Sequence, residues 1–359
     1  MPSTDIVRET GVLIQNKLLP SVPARWRSQF SFGMQAFSLR PFQSAGSNAR
    51  CVVPNANTAS TKCDRLLGNA KLGAQIGVVF DQLKLVRPGS YVNVDHSDLH
   101  GLTNLVGAMQ TRNGRAIPCM VETTYAHHIP GVGSKKSTAR TGRLRAAMMA
   151  ARKTQSFTGH TIDALQTMAD RLGFWPRLVF DRGFGNESLV THLSAEGATF
   201  YIRLKAGRYV ELDEQRFQIR QLKEADASVW LFGVTLRVIR SPKSRRSPEP
   251  WYILTNDFTS SRNKIVRIYY HRFEIEETFR DMKQLFEYKR ARFLKPTSLQ
   301  TLWWLVSLGI ALLYVVTKPW RPPEHLAHSH PKKRRSWIRE AYEQLQLAYG
   351  QLLWQEGLG

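Results

Sequence analysis

Residues 177–205, RLVFDRGFGNESLVTHLSAEGATFYIRLK, decide the fold. Arg177 to Phe180 is a short apolar run of strand length. It stops at Asp181, in the Gly-containing turn DRGFGN. Glu187 to Glu196 reads as a helix, and Ala198 to Lys205 as a second strand. The order strand, helix, strand predicts an α/β sheet with parallel pairing. It also places Asp181 just past the C-terminal end of a strand, where open α/β sheets build their sites.

Upstream, Tyr91, Val92 and Val94 in GSYVNVDHSDL predict another strand, with Asp95 at its end. Ala116 to Tyr125 is the next strand candidate, and the TRNG at 111–114 is a hairpin signal before it. His96, Asp98 and His100 have a spacing that can bind zinc, but no second His/Asp cluster follows to complete a site. His127 and His128 read as structural or as lying near DNA. From Thr123 to Ile162 there is no acidic residue, while Lys135, Lys136, Arg140, Arg143, Arg145, Arg152 and Lys153 all fall there. A solvated face is the plain explanation. Forty residues without a carboxylate inside a folded domain favour a surface that tracks phosphates.

Downstream, residues 207–255 break into short β runs, VWLFGVTLRVIR and WYILTN, around the basic loop SPKSRRSPEP. This predicts a β-rich insertion. Ile268 to Lys289, IYYHRFEIEETFRDMKQLFEYK, has no Pro or Gly and is expected to form one continuous helix. At about 100° per residue, Tyr269, Arg272 and Lys283 fall within roughly 60° of Glu276. A surface helix laced with salt bridges explains the Arg272–Glu276 spacing alone. A carboxylate flanked by cations and a phenol is also what a metal ligand between phosphate clamps requires. Thr297 to Thr317 is uncharged over 21 residues. Its length is near a membrane span, but Gln300, Ser307 and Gly309 within it favour a buried core helix. The tail carries Lys332, Lys333, Arg334 and Arg335 before a helical stretch at 336–354.

The 359 residues carry 51 Lys and Arg against 28 Asp and Glu, a formal charge of +23. Such a balance points to a polyanionic partner, nucleic acid before membrane. The three cysteines, Cys51, Cys63 and Cys119, form no CxxC pair and no zinc spacing. The first residues show no secretory signature, so a cytoplasmic protein is expected. Residues 1–85 read as several short helices, Thr58 to Asn69 among them. They suit either a DNA-end-binding domain or a cap on the next domain.

Asp95, Asp181 and Glu276 share one explanation. Two carboxylates from strand ends and one from a later helix can converge on a pair of divalent cations about 3.5–4 Å apart that hold a scissile phosphate. Oxygen ligands favour Mg²⁺, with Mn²⁺ as a substitute, over zinc.

The spacing YxxRxxxExxxxxxK, here Tyr269, Arg272, Glu276 and Lys283, resembles the signature of the insertion-sequence-4 family of bacterial DDE transposases. That group includes the transposases of composite transposons five and ten. The resemblance extends to DxSxL at Asp95, Ser97 and Leu99, to DRGF with the later YIRLK, and to WYILTN. It spans about residues 88–290. It implies an RNase H-like catalytic core at 86–206 and 256–318 with the β-rich insertion at 207–255, a helical end-binding domain at 1–85 and a basic helical tail at 319–359. Asp95, Asp181 and Glu276 would bind two Mg²⁺. Tyr269, Arg272 and Lys283 would contact DNA phosphates, with Arg182, Arg203 and Lys205 as weaker candidates, since Arg182 could instead pair with a core carboxylate. Trp251 matches the position that stacks a flipped base during hairpin formation. Otherwise it is a buried tryptophan of the insertion. The implied activity is DNA transposition on double-stranded transposon ends and target DNA, by a homodimer at the bacterial nucleoid, with no membrane involved. Two rival functions are an RNase H-like nuclease without strand transfer and a non-catalytic, transposase-derived DNA-binding protein.

Overall fold

The structure, a computed structural model, describes residues 3–38, 43–111, 114–126, 156–212, 214–242 and 249–317, with scattered residues within 142–150 and 338–343. The mixed α/β expectation holds. Strands and helices are β1 (Tyr91–Leu99), β2 (Leu102–Gln110), β3 (Ala116–Tyr125), β4 (Arg177–Phe180) and β5 (Phe200–Leu204), with α6 (Phe157–Leu172) before β4 and α7 (Glu187–Ala195) after it. β1, β4 and β5 run parallel, and β1, β2 and β3 form an antiparallel meander. This is the arrangement of an RNase H-like core, and the 177–205 stretch folds as its spacing predicts.

One strand escaped the sequence reading. β2 lies between the two expected strands, joined to β1 by a two-residue turn in which His100 (φ 49°) and Gly101 (φ 93°) both take left-handed backbone. That is the turn geometry hairpins prefer. The 111–114 TRNG is the second hairpin, not the first. β2 gives no alternation because eight of its nine residues are buried; a strand covered on both faces reads as a plain apolar run.

The insertion is not a separate sheet. β6 (Tyr209–Leu212), β7 (Gln215–Gln218), β8 (Asp226–Leu231), β9 (Val234–Arg240) and β10 (Tyr252–Thr255) extend the core into one ten-stranded sheet, in the order β3-β2-β1-β4-β5-β10-β9-β8-β6-β7. β10 pairs antiparallel with β5, so the insertion leaves and rejoins at the sheet edge.

The amino-terminal region forms five helices, α1 (Ser3–Leu13), α2 (Arg27–Gly33), α3 (Ala45–Arg50), α4 (Ala56–Leu67) and α5 (Ala70–Asp81). Asn55 and Asn69 cap α4 and α5 through their side chains. These helices share one apolar core with the sheet, and the link is α10 (Pro296–Thr317). In its most apolar 18-residue window, 83% is buried, as a core helix requires. α5 packs so tightly on it that a Cβ at Gly73 would stand 2.7 Å from Thr301 Oγ1.

The 268–289 stretch is not one continuous helix. α8 (Arg262–Tyr270) ends at His271, and α9 (Phe273–Gln284) begins after Arg272. The cause is tertiary. The His271 carbonyl accepts from Asn93 Nδ2 (3.0 Å), and the buried Glu274 carboxylate accepts from the backbone N–H of Thr111 (2.9 Å). Helix propensity does not register such partners. The tail helix expected at 336–354 and the basic residues 332–335 lie outside the described residues, apart from a few positions such as Ile338 and Tyr342.

Candidate active site at the carboxyl edge of the sheet

β1 brings the first carboxylate. Sequence reading put Asp95 at the end of its strand. In fact β1 continues four residues further, because β2 keeps pairing with it as far as Leu99. The parallel ladder with β4 does stop at Val94 and Phe180, so Asp95 and Asp181 are the next residues on adjacent strands. Neighbouring strands are about 4.8 Å apart. Asp181 leaves β4 in extended backbone (φ −75°, ψ 170°) and leads into the turn at Arg182–Phe184.

α9 brings the third. It is anchored to the β2–β3 end of the sheet by side chains. Thr278 Oγ1 accepts from Ala116 N (3.0 Å), and Arg115 Nε donates to Asp281 Oδ2 (2.6 Å). Ile275, Phe279 and Met282 bury the inner face. Glu276 therefore faces outward, its side chain 47% exposed. At the kink, Gln110 Nε2 donates to Asn93 Oδ1 (2.7 Å) and to Ile268 O (3.1 Å). Asn93 and Asp95 lie on the same face of β1, so this clamp sets the residue after the kink beside Asp95.

That residue is Arg272. It is buried, and its guanidinium reaches Glu276 Oε1 at 2.6 Å and Asp95 Oδ2 at 3.4 Å, above the faces of Phe273 and Tyr269. Burial pushes the Asp95 carboxyl up to about 6. The neighbouring Asp181 and Glu276 charges push the same way, while the His96 backbone N–H and Arg272 oppose them. The three carboxylates thus crowd one another, with a single cation among them.

The other expected site residues divide. Tyr269 is fully buried, under Trp251 (centroids 5.3 Å, interplanar angle 61°) and against Arg272, so it offers no surface to a phosphate in this conformation. Trp251 is half-buried, packed on Tyr269 and Phe273 beside the kink rather than inside the insertion. Lys283 lies two turns beyond Glu276 on the same helix, half-buried, with no salt bridge among the described residues. Arg203 is near enough to Tyr269 to act on its hydroxyl. Arg182 is exposed and forms no salt bridge among the described residues, so it is not a partner of a core carboxylate. Lys205 is exposed past the end of β5. His96, Asp98 and His100 do not converge. The His96 ring stacks on Phe184 (4.6 Å), Thr103 donates to Asp98, and His100 Nε2 meets Lys289 O at 2.6 Å. His127, His128 and most of the basic run at 123–162 lie outside the described residues. Asn93, Gln110 and Thr278, which place the site, carried no sequence signal, since each acts through hydrogen bonds to partners distant in the chain.

The donor set, three crowded carboxylates and nothing softer, fits a hard divalent cation. With Arg272 bridging two of them, no group of three acidic, His or Cys side chains closes on one point among the described residues.

The sheet thus brings carboxylates from adjacent parallel strands close to one on a following helix. Residues 139–313 match the family model described as transposase DDE domain. The matched stretch takes in Asp181 and Glu276 and begins after Asp95. It supports a DDE transposase as the class of this chain. No curated protein matches the chain.

Proposed function

We propose that the chain is the transposase of a bacterial insertion sequence in the insertion-sequence-4 group, acting at the nucleoid. The reading is carried by the gathering of Asp95, Asp181 and Glu276 around one buried arginine at the carboxyl edge of the sheet, within a chain of formal charge +23. Asp95, Asp181 and Glu276 hold the divalent cations, Mg²⁺ in the first instance. Held by these three carboxylates, divalent cations would supply Lewis-acid activation of the attacking oxygen and charge stabilisation of the leaving 3′ oxygen in an in-line displacement.

The chain's own side chains do the rest. A DNA phosphate offers Arg272 a bidentate partner. Taking it releases Asp95 and Glu276 and uncovers Tyr269. Lys283 neutralises a second phosphate along α9, and Arg182, Arg203 and Lys205 line the approach to the scissile bond. Trp251, beside Arg272, stacks an extruded base if cleavage proceeds through a hairpin; flipping costs a few kcal/mol, which stacking offsets. Two copies of the chain bring two transposon ends together, and the freed 3′ hydroxyl is joined to target DNA.

The test uses a labelled duplex carrying the element's terminal inverted repeat, with Mg²⁺ or EDTA, and wild type beside Asp181→Asn. Cutting at the repeat boundary that needs Mg²⁺ and is lost in the variant is the expected result. Cutting that survives Asp181→Asn removes Asp181 from the site. Cutting without joining of a pre-cut end reduces the protein to a nuclease.

A further inference from the structure

The outer strands of the insertion alternate strictly. In β8, Ala227, Val229 and Leu231 face the core while Asp226, Ser228 and Trp230 face out. In β6, Val210 is buried while Tyr209 and Glu211 face out. Glu211 pairs with Arg216 on one side and Trp230 on the other. A guanidinium, a carboxylate and an indole therefore stand in a row across three strands. Trp230 is 50% exposed and Tyr209 48%, the latter with Arg216 over its ring.

These side chains line a groove of about 750 Å³, closed at one end by the β8–β9 turn. That turn is Phe232-Gly233, at φ 56° and 77°. Asn or Asp is the usual residue at the first position, and a bulky side chain there is an outlier. An aromatic ring therefore stands where the backbone disfavours one. Two cations lie on the aromatic faces, Arg216 over Tyr209 at 5.1 Å and Arg208 over Phe232 at 5.5 Å. Arg208 also donates to Gly185 O at 2.8 Å, which ties the groove to the turn that follows Asp181. Lys205, which lines the groove, follows directly from β5, whose carboxyl end lies on the same sheet edge as Asp181.

We propose that this groove binds single-stranded DNA by stacking an unpaired nucleobase on Trp230 and Tyr209, with Arg216 and Lys205 on the flanking phosphates. The inference rests on the DNA-processing reading above and adds a second contact to it, apart from Trp251. Aromatic faces with cations between them are what strand-binding surfaces use, because every base has a π-face. Duplex DNA has no free face to offer. Glu211 in the middle of the row repels a phosphate but accepts from the exocyclic amine of a base, so the centre suits a base edge and the rim suits backbone.

The experiment uses the full chain carrying Asp181→Asn, so that nothing is cut, and reads fluorescence anisotropy. The probes are a labelled oligodeoxycytidine of about 15 nucleotides and a blunt-ended duplex of the same length with no unpaired base. Trp230→Ala is expected to weaken single-strand binding by about five- to 150-fold while leaving the duplex within about twofold. Trp230→Phe is expected to retain most of the affinity. Arg216→Ala should lower the salt slope on the single strand by about 0.7. An unchanged thermal midpoint shows that Trp230→Ala has folded, and Tyr209→Ala repeats the test from the facing ring. Single-strand affinity unaffected by both aromatic variants overturns the proposal. So does an equal loss on duplex, which marks a general cationic patch. A changed oligomeric state with single-strand binding intact assigns the face to a protein contact and also overturns it. Binding that depends on Trp230 in a protein that never cuts DNA preserves the groove and removes the transposase reading. Cutting with an indifferent Trp230 does the reverse.

Discussion

Arg171 and Arg272 are both largely enclosed, with side chains 13% and 4% exposed, and each meets a carboxylate, yet their partners differ in kind. Arg171, on α6, donates to Asp81 Oδ2 and to the carbonyls of Gly77 (2.5 Å) and Cys119 (2.7 Å), and lies over Trp304. Most of its partners are backbone atoms that cannot leave. Arg272 has only side-chain acceptors, Asp95 and Glu276, and Glu276 is half in solvent. The first arginine locks helices to the sheet. The second bridges two carboxylates, one of them half in solvent. Permanence of the partner, more than burial, distinguishes the two ion pairs.

The largest expected effect tests the second cluster. Glu276→Gln should lower DNA cutting by on the order of 10³-fold or more while preserving DNA binding, as judged by gel assays on the terminal repeat. Full-rate cutting would place the third ligand elsewhere. For the first cluster the effect is on stability. Arg171→Ala leaves Asp81 buried without its partner and should cost about 3–5 kcal/mol in urea unfolding. A loss below about 1 kcal/mol would make the two arginines alike after all.

The pH dependence belongs to the first cluster too. Burial pushes Glu122 up to about 7, against Gln300 and Arg171, which favour its ionised form. A raised folded pKa means the folded state holds the proton more tightly. This contribution to stability is present below about 4.5 and fades as pH rises through about 7. Glu122→Gln should therefore be more stable than wild type at pH 8, by about 1–2 kcal/mol, with the gap closing below pH 5. A gap independent of pH would locate the effect in packing.

Arg272→Ala sharpens the contrast at smaller scale. Without the competing guanidinium, the DNA-free protein should bind Mn²⁺ about tenfold more tightly, read by electron paramagnetic resonance. Equal affinity would show that Arg272 does not stand in the way. Lys283→Ala should reduce the salt slope of end binding by about one unit, and an unchanged slope would argue against a phosphate contact there.

The contrast also shows what a sequence carries. Asp181 was legible because a four-residue strand, a turn and a helix mark its place within a few positions. Glu276 falls on a helix as expected, but the helix begins after Arg272, so the spacing argument from one continuous helix holds only from Glu276 to Lys283. The break at His271 was not legible, because its causes are Asn93 and Thr111, more than 150 residues away in the chain. β2 was hidden by its own burial, and Asp95 was displaced from strand end to strand middle because the neighbour that prolongs β1 was the strand not seen. Tyr269 looked surface-facing from periodicity alone, yet Trp251, the residue just before β10, covers it.

The single continuous sheet has a metric consequence. From β4, which ends at Asp181, to β8, which carries Trp230, the order runs β4-β5-β10-β9-β8, four steps of strand pairing. At about 4.8 Å per step that is about 19 Å. Duplex DNA rises about 3.4 Å per base pair, so the span corresponds to between five and six pairs, or roughly three nucleotides of stretched single strand. Strands hydrogen-bonded edge to edge form a plate that does not lengthen, so the distance between the two proposed contacts is set by the number of strands between them.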